Sequence, residues 1–86
     1  MTIRFSKNFR KQLKNLSVKE QKQFYTRLQW FILDNYDSRL RNHMLAGKFK
    51  GLRSISISGD LRALYEVVGD EVYLYQMIGS HSQLYG

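Results

Sequence analysis

The residues with the clearest chemical potential lie near the C-terminal end of the chain, where His81 and Tyr85 fall in a short polar tail. Arg62 opens a strand-like run just before it. Cleavage of RNA without a metal needs a base for the 2′-hydroxyl proton, a cation for the phosphate charge and an acid for the leaving oxygen. An imidazole can transfer the protons and a guanidinium can stabilise the charge on the phosphate. An aromatic ring can stack on a base of the RNA. These residue types therefore favour phosphodiester chemistry, with His43 and Asp60 as further candidates.

Each of these residues also has an ordinary structural interpretation. A single His in a terminal tail is commonly a surface residue. Arg62 could simply pair with Glu66 or Asp60, and Tyr85 could close an apolar edge of the fold. The residue types alone leave both interpretations open.

Other kinds of site have little support in the sequence. The chain has no Cys, so it has neither a disulfide nor a thiolate zinc site. His43 and His81 lie far apart in the sequence, so they are weak candidates for the ligands of one metal site. Ser80 and Ser82 lack the nucleophile-elbow pattern, and no Gly-rich phosphate loop precedes a predicted helix. We therefore expect no metal and no cofactor.

A hairpin is expected to position the candidate residues. Leu61–Val68 and Glu71–Ile78 are rich in β-branched and aromatic residues, and Gly69-Asp70 between them is a turn signal. The polar tail Gly79–Gly86 follows. In an antiparallel hairpin the start of one strand lies beside the end of the other. The sequence thus predicts that Arg62 converges with the His and the Tyr of the tail.

The N-terminal segment predicts a short strand and an amphipathic helix. Thr2–Phe5 reads as the strand, and Ser6 is a good N-cap for the helix that follows. Phe9, Leu13 and Leu16 recur at helical spacing, with Lys and Arg on the remaining faces.

A second helix is predicted from Ser17, which forms a capping-box pattern with Glu20, to about Tyr36. Its apolar positions form one stripe, which we expect to pack on a sheet. The stripe comprises Phe24, Leu28, Phe31 and Ile32, widened by Tyr25, Trp30 and Leu33.

The middle of the chain predicts a loop, a turn-rich basic segment and one strand. Asp34–Asn42 is polar and reads as the loop, and Gly47 and Gly51 indicate turns. Leu52–Ser58 alternates as a strand with one buried side. That side holds Arg53, Ile55 and Ile57. A turn at 58–60 leads into the hairpin, so the predicted order is β-α-α-β-β-β.

Size and charge indicate one small basic domain spanning residues 1–86. Thirteen of its fourteen Lys and Arg residues lie in residues 1–53, with only three of its seven acidic residues. Such a surface attracts polyanions, or it only keeps the protein in solution. RNA, DNA and an acidic protein all remain open as partners. No run is long enough to span a membrane and no signal peptide is evident, so we expect a cytoplasmic protein.

Three motifs occur in order along the second half of the chain: His43-x-Leu45-x-Gly47-x-x-x-Gly51-x-Arg53, Asp60-x-Arg62-x-x-Tyr65 and Ile78-Gly79-Ser80-His81-Ser82-x-Leu84-Tyr85. Together they resemble the RelE/YafQ superfamily of bacterial type II toxins, most closely the YafQ branch. The N-terminal Phe5-Ser6-Lys7-x-Phe9-x-Lys11-x-Leu13 also suits that family.

The resemblance implies an α+β fold with two N-terminal helices on a small, twisted, mostly antiparallel sheet. It implies an endoribonuclease that cuts mRNA in the ribosomal A site. It also implies a cognate antitoxin that binds and inhibits the toxin, with operator DNA bound only through the complex of the two.

By position, the resemblance assigns a role to each candidate. His81 matches the catalytic His near the C-terminus, Asp60 an acidic active-site residue and His43 an upstream His. Tyr85 matches an aromatic that contacts a base, and Arg62 a phosphate-stabilising Arg.

The basic segment supplies the expected RNA contacts, and one position departs from the family. Arg53 matches an Arg with a phosphate-binding or structural role, and Lys48 and Lys50 are further candidates for RNA binding. Members of the YafQ branch carry another His where this chain has Ser56. The role of that imidazole is either absent here or taken up by Arg62 or His43.

Two other functions fit the same sequence. A non-enzymatic toxin of this fold would inhibit DNA gyrase, as ParE-like relatives do. A basic RNA-binding module would bind in a salt-dependent manner without cleaving. His81 and Tyr85 argue against the gyrase inhibitor, because ParE-like relatives generally lack this catalytic set.

Overall fold

The computed structural model describes residues 1–85, which form a sheet, two N-terminal helices and a short C-terminal helix. The elements in chain order are β1 (Thr2–Phe5), α1 (Lys7–Lys14), α2 (Val18–Leu33), β2 (His43–Met44), β3 (Arg53–Ser58), β4 (Leu61–Val68), β5 (Val72–Ser80) and α3 (His81–Tyr85). Two short 3₁₀ turns, Ser38–Leu40 and Gly47–Phe49, flank β2.

The five strands form one sheet in the order β1-β5-β4-β3-β2. Strands β2 to β5 pair antiparallel with their neighbours, and β1 pairs parallel with β5. The predicted α+β class, with N-terminal helices on a mostly antiparallel sheet, is therefore confirmed. The parallel edge follows from the connection, because α1 and α2 separate β1 from the strands it joins.

The helices cover one face of the sheet and bury an aromatic core. Phe9, Phe24 and Phe31 from the helices and Tyr75 from β5 are fully buried. The ring centroids of Phe9 and Phe24 are 5.2 Å apart, and those of Phe24 and Tyr75 are 5.8 Å apart. These distances fall in the range of favourable aromatic pairs.

Both predicted helix starts are present, but α2 ends earlier than predicted. The hydroxyl of Ser17 accepts from the amide of Glu20, and the Glu20 carboxylate accepts from Ser17 in return. The helix ends at Leu33 and not near Tyr36, because Asp34 is extended and its carboxylate accepts the amide of Tyr36. The carboxylate of Asp34 thus accepts the amide that, in a continued helix, would donate to a backbone carbonyl.

The predicted apolar stripe of α2 is wrong at three positions. Tyr25 is 48% exposed, Ile32 is 50% exposed and Leu33 is 88% exposed, whereas Phe31 is fully buried. The ring of Tyr25 contacts that of Phe24 from the surface, with the ring centroids 5.3 Å apart. Ile32 and Leu33 lie in the last turn, beyond the part of α2 that packs on the sheet.

The predicted loop 34–42 is more structured than expected. Leu40, in the first 3₁₀ turn, is fully buried in the core with the helices. The two-residue strand β2 follows the loop and pairs with the start of β3. Neither the burial of Leu40 nor the strand β2 gives a periodic signal in the sequence, because each depends on contacts with distant residues.

The hairpin forms as predicted, with a longer second strand and a different tail. Gly69 adopts a positive φ of 63° in the turn, as expected of Gly there. Strand β5 continues to Ser80, and the tail then forms α3 instead of an irregular segment. The predicted tail ends at Gly86, which lies outside the described residues.

In residues 1–85, no helix is both long enough and apolar enough to span a bilayer.

Candidate functional site

All the candidate residues except Arg53 gather on the face of the sheet opposite α1 and α2, called here the outer face. Side chains on β4 alternate, so Ala63 and Tyr65 face the helices while Arg62 and Leu64 face outward. A second, smaller apolar cluster covers part of the outer face. It consists of Phe49, Leu64 and Leu84, packed by Leu45, Leu52, Met77 and Tyr85.

Strand register brings Asp60, Arg62 and His81 to one end of the outer face. Arg62 pairs with Gly79 on β5 and with Ser56 on β3. The backbone amide of His81 donates to the carbonyl of Asp60 over 3.1 Å. The start of β4 therefore lies directly beside the start of α3, as the hairpin predicts.

Helix α3 is fixed by a capping box and by one buried side chain. The amide of Gln83 donates to the Ser80 hydroxyl over 3.2 Å, and the amide of Ser80 donates to the Gln83 side-chain oxygen over 2.8 Å. Leu84 is only 4% exposed. The pattern Ser-x-x-Gln is a recognised helix-start signature, so the sequence carried a signal for α3 that the interpretation of a polar tail missed.

Two rings of α3 stand together at the edge of the outer face. The rings of His81 and Tyr85 are 4.6 Å apart, and the ring of Tyr85 meets that of Phe49 edge-on at 5.2 Å. His81 is exposed, and Tyr85 is partly buried. Phe49, which sequence reasoning did not single out, thus supports the aromatic pair from the segment after β2.

Arg62 is half-buried and bent towards the turn before it. Its Nη1 atom donates to the carbonyls of Gly59 at 2.8 Å and of Leu61 at 3.1 Å. Arg62 forms no ion pair within residues 1–85, and Glu66 instead accepts from Gln76 at 2.8 Å. The ordinary interpretation, in which Arg62 pairs with Glu66 or Asp60, does not describe this geometry.

His43 lies on the same face, further along the sheet. It pairs with Ser54 on β3, two residues from the Ser56 that faces Arg62. Its Nδ1 atom is 2.9 Å from the carbonyl of Arg41. A carbonyl only accepts, so Nδ1 is the donor in this contact and carries a proton.

The two Lys candidates flank the outer face as exposed residues. Lys48 and Lys50 lie on either side of the buried Phe49. The Nζ atom of Lys48 is 5.1 Å from the centre of the Phe49 ring. This cation therefore stands beside the aromatic group that contacts Tyr85.

Arg53 is separated from the other candidates, because it faces the helices. Its Nε atom donates to the side-chain oxygen of Asn42 over 2.7 Å, and its guanidinium lies 5.4 Å from the Tyr36 ring. Asn42 in turn donates to the hydroxyl of Tyr65 over 2.7 Å and to the carbonyl of Asn35 over 2.9 Å. Of its two expected roles, the geometry favours the structural one.

The Arg53–Asn42–Tyr65 network ties the loop before β2 to the middle of the sheet. Burial raises the pKa of Tyr65 above its ordinary value, despite the hydrogen bond from Asn42. Tyr65 therefore stays a neutral phenol at physiological pH. The place of Tyr65 in the family-like motif therefore reflects packing. Asn42, directly before His43, holds Tyr65 and Arg53 together, and sequence reasoning missed it.

Residues 1–85 contain no group of three or more His, Asp or Glu side chains arranged to hold a metal ion.

Known proteins resemble this chain in sequence and in fold. The sequence profile of a family described as the bacterial toxin of type II toxin–antitoxin system, YafQ, matches residues 1–86. No curated protein sequence matches the chain.

Three solved structures share the fold. The metal-bound toxin from Helicobacter pylori is 26% identical with a TM-score of 0.72, covering 99% of each chain. The E. coli DinJ-YafQ toxin-antitoxin complex matches at 22% identity with a TM-score of 0.71, covering 98% of this chain and 96% of that one. The YoeB/ParE toxin from Agrobacterium tumefaciens matches at 13% identity with a TM-score of 0.78, covering 94% of this chain and 99% of that one.

Proposed function

Because this chain belongs to the YafQ family of bacterial toxins of type II toxin–antitoxin systems, we propose that it is an endoribonuclease that cleaves mRNA in the ribosomal A site without a metal. The observation that carries the proposal is the convergence of Asp60, Arg62 and His81 at one end of the outer face. Tyr85, whose ring lies 4.6 Å from that of His81 and is tilted by 39°, adds an aromatic surface for a base.

The reaction is an internal transfer at phosphorus. The 2′-oxygen attacks the adjacent phosphorus and loses its proton to a base. The bond from phosphorus to the 5′-oxygen breaks, and an acid protonates the leaving oxygen. The products are a 2′,3′-cyclic phosphate and a 5′-hydroxyl.

Arg62 is suited to hold the phosphate while charge develops on its oxygens. Its guanidinium already points to the turn at the site, and only carbonyls hold it there. A charge-assisted hydrogen bond to phosphate is stronger than those bonds. Arg62 also lies opposite Ser56, where YafQ-branch members carry a His, so we assign the electrostatic part of that role to Arg62.

We assign proton transfer mainly to His81, because its exposed imidazole can both accept and donate a proton. The second proton passes through Asp60 or His43. Asp60 adjoins His81 through the backbone, and His43 faces outward from β2 on the same side. Asp60→Asn and His43→Gln remove the two groups separately, and the variant that loses one limb of the pH–rate profile identifies the carrier.

The surrounding residues would bind the RNA. Tyr85 would stack on a base next to the cut, with Lys48 and Lys50 close to the backbone phosphates. Arg53 has no part in this assignment, because its side chain faces the helices.

The expected partners follow from family membership. A cognate antitoxin, encoded beside the toxin, would bind and inhibit it in the cytoplasm, and operator DNA would be bound only through the toxin–antitoxin complex. Related chains in the E. coli DinJ-YafQ toxin-antitoxin complex support this partner.

The test compares mRNA cleavage by wild-type protein, His81→Ala and Ser82→Ala in a translating extract. Ser82 is an exposed neighbour on α3 and serves as the control. Loss of a proton-transfer group costs about 10²- to 10⁴-fold, so His81→Ala is expected to be almost inactive and Ser82→Ala close to wild type. Cleaved fragments should end in 2′,3′-cyclic phosphate or 3′-phosphate.

Equal cleavage by wild type and His81→Ala would remove His81 from the mechanism. Growth arrest by both proteins with intact mRNA would overturn the endoribonuclease and point to a non-nucleolytic target such as gyrase.

A further inference from the structure

Strand β5 has a strand on both sides for only part of its length. Its first half pairs with β1, whose last residue, Phe5, lies beside Tyr75. In residues 1–85, the part of β5 from Gln76 to Ser80 has β4 as its only neighbouring strand. The backbone groups of this part that point away from β4 therefore need other hydrogen-bond partners, just where the strand leads into α3.

Side chains of α1 supply those partners. The hydroxyl of Ser6 donates to the carbonyl of Gln76 over 3.1 Å, and the side-chain amide of Asn8 donates to the same carbonyl over 3.4 Å. One turn further along α1, the Oε1 atom of Gln12 accepts the backbone amide of Ile78 over 2.9 Å. Helix α1 thus takes the place of a neighbouring strand along this edge of β5.

Of these contacts, that of Gln12 lies nearest to α3 along the strand. Ile78 is only 2% exposed, so its amide depends on Gln12 for a hydrogen bond. The next amide on this edge, that of Ser80, donates to the side-chain oxygen of Gln83 over 2.8 Å. Two glutamines, one before the sheet closes and one in α3, therefore hold successive amides of the same edge.

Helix α3 packs directly against the backbone of β5. A Cβ atom at Gly79 would lie 3.1 Å from Oε1 of Gln83 and 3.5 Å from the side chain of Leu84. Because so little space separates the two elements, a shift of the β5 backbone at Gly79 is transmitted to α3. His81 is the first residue of α3, and its amide is held on the other side by the carbonyl of Asp60.

We infer that Gln12 is a positioning residue for His81 and acts through the end of β5. This inference deepens the proposed function and rests on it for the role of His81. Gln12 fixes Ile78, three residues before His81, and thereby the direction in which α3 leaves the sheet. Loss of this direction slows proton transfer more than it weakens RNA binding, because proton transfer requires hydrogen-bond distances of about 3 Å.

A cavity of 210 Å³ beside Gln12 determines which substitution tests this role. Gln12, Asn15 and Leu16 line one side of it, and Ile78 and Gln83 line the other. A small side chain at position 12 would let water enter and replace the lost acceptor. Methionine is similar in length to glutamine but is only a weak acceptor, so Gln12→Met removes the hydrogen bond and keeps the space filled.

The first experiment follows the imidazole of His81 by NMR in the free protein. The chain has two His residues, so the His43→Gln variant assigns the two Cε1–H signals. The ring of Tyr85, 4.6 Å from that of His81, shifts the His81 signal away from its position in the urea-unfolded protein. We expect Gln12→Met to move that signal towards the unfolded position and to speed solvent exchange of the Ile78 amide about tenfold or more.

Gln21→Met is the matched control. The Nε2 atom of Gln21 donates to the carbonyl of Leu16 over 3.0 Å, so this variant also removes a partly buried contact between a glutamine and the backbone. That contact holds the turn between α1 and α2 and does not touch β5 or α3. Gln21→Met should lower the thermal stability by a similar amount and leave the His81 signal unchanged.

The second experiment measures mRNA cleavage on purified translating ribosomes. Gln12→Met should lower kcat about five- to tenfold with KM within about twofold, and Gln21→Met should change both by about twofold or less. Gln12→Glu keeps an acceptor oxygen and should recover kcat to within about twofold of the wild-type value. Circular dichroism at the assay temperature gives the folded fraction of each variant, which corrects kcat for any unfolded protein.

A His81 signal that keeps its wild-type position in Gln12→Met would overturn the inference. An equal fall of kcat in Gln12→Met and Gln21→Met would also overturn it, as would a Gln12→Glu variant no more active than Gln12→Met. Intact mRNA with the wild-type protein would instead contradict the proposed function. The NMR comparison needs no cleavage, so the two failures are distinguishable.

Discussion

Two neighbouring tyrosines in the core differ in what their hydroxyl groups contact. The rings of Tyr65 and Tyr75 are 5.4 Å apart. The hydroxyl of Tyr65 accepts a hydrogen bond from Asn42. The buried hydroxyl of Tyr75 has no hydrogen-bond partner in residues 1–85, and burial raises its pKa far above the ordinary value. A buried polar group without a partner costs stability.

Substitution of the two tyrosines by Phe should therefore have opposite effects. Tyr75→Phe removes an unsatisfied hydroxyl and should leave the free energy of unfolding unchanged or raise it by about 1 kcal/mol. Tyr65→Phe removes a hydroxyl that has a hydrogen-bond partner and leaves one N–H of Asn42 without an acceptor. It should therefore lower the free energy of unfolding by about 1 kcal/mol. Urea unfolding of both variants measures the difference, and a clear loss of stability in Tyr75→Phe would contradict this account.

At the level of elements, the candidate catalytic residues at the end of the outer face depend on the short helix α3. Five residues are too few for a stable helix alone, so its order comes from Ser80, Gln83 and the buried Leu84. His81 and Tyr85 sit at its two ends, and their rings meet only while the turn is formed. The cap of α3 is therefore part of what positions the candidate site.

Removal of this cap should weaken cleavage without unfolding the protein. Ser80→Ala should cost about 1 kcal/mol of local stability, or about fivefold in the equilibrium constant for forming α3. Cleavage should fall by up to that factor, and the amides of residues 83–85 should exchange faster with solvent. Ser38→Ala, at an exposed position outside α3, is the control and should change neither. Unchanged exchange in Ser80→Ala would show that α3 does not need its cap.

At the scale of the whole molecule, one sheet serves two purposes on its two faces. The helix-covered face holds the aromatic core, and the outer face holds the small cluster around Phe49 and the candidate catalytic residues. A chain of 86 residues buries a limited fraction of its surface, so stability depends on few side chains. Phe24 is central, since its ring lies within 6 Å of those of Phe5, Phe9 and Tyr75.

Phe24→Ala should remove much of the total stability. Loss of a buried Phe costs about 3–5 kcal/mol, against about 5–15 kcal/mol for a whole domain. Leu33→Ala, on the same helix but 88% exposed, should cost about 0.5 kcal/mol or less. Thermal unfolding by circular dichroism checks both, and a large loss in Leu33→Ala would contradict its placement at the surface.

Local patterns in the sequence determined the elements that depend on neighbouring residues. The two helix caps, the helical spacing of Phe9 and Leu13 and the hairpin turn at Gly69 are local, and each predicted structure is present. The resemblance to the YafQ branch is likewise confirmed by the match over residues 1–86. Such signals do not depend on tertiary contacts, because capping and periodicity relate residues that are only a few positions apart.

Tertiary structure alone decided which candidates share the site. Alternation along β3 placed Arg53 on the same face as Ile55. Only the packing of the helices showed that they cover this face, so that Arg53 lies apart from the candidate site. Arg62 lies on the opposite face. Burial of Leu40 and support of Tyr85 by Phe49 also arise from contacts between distant segments. Periodicity relates residues within one element, whereas strand register and packing relate residues of different elements.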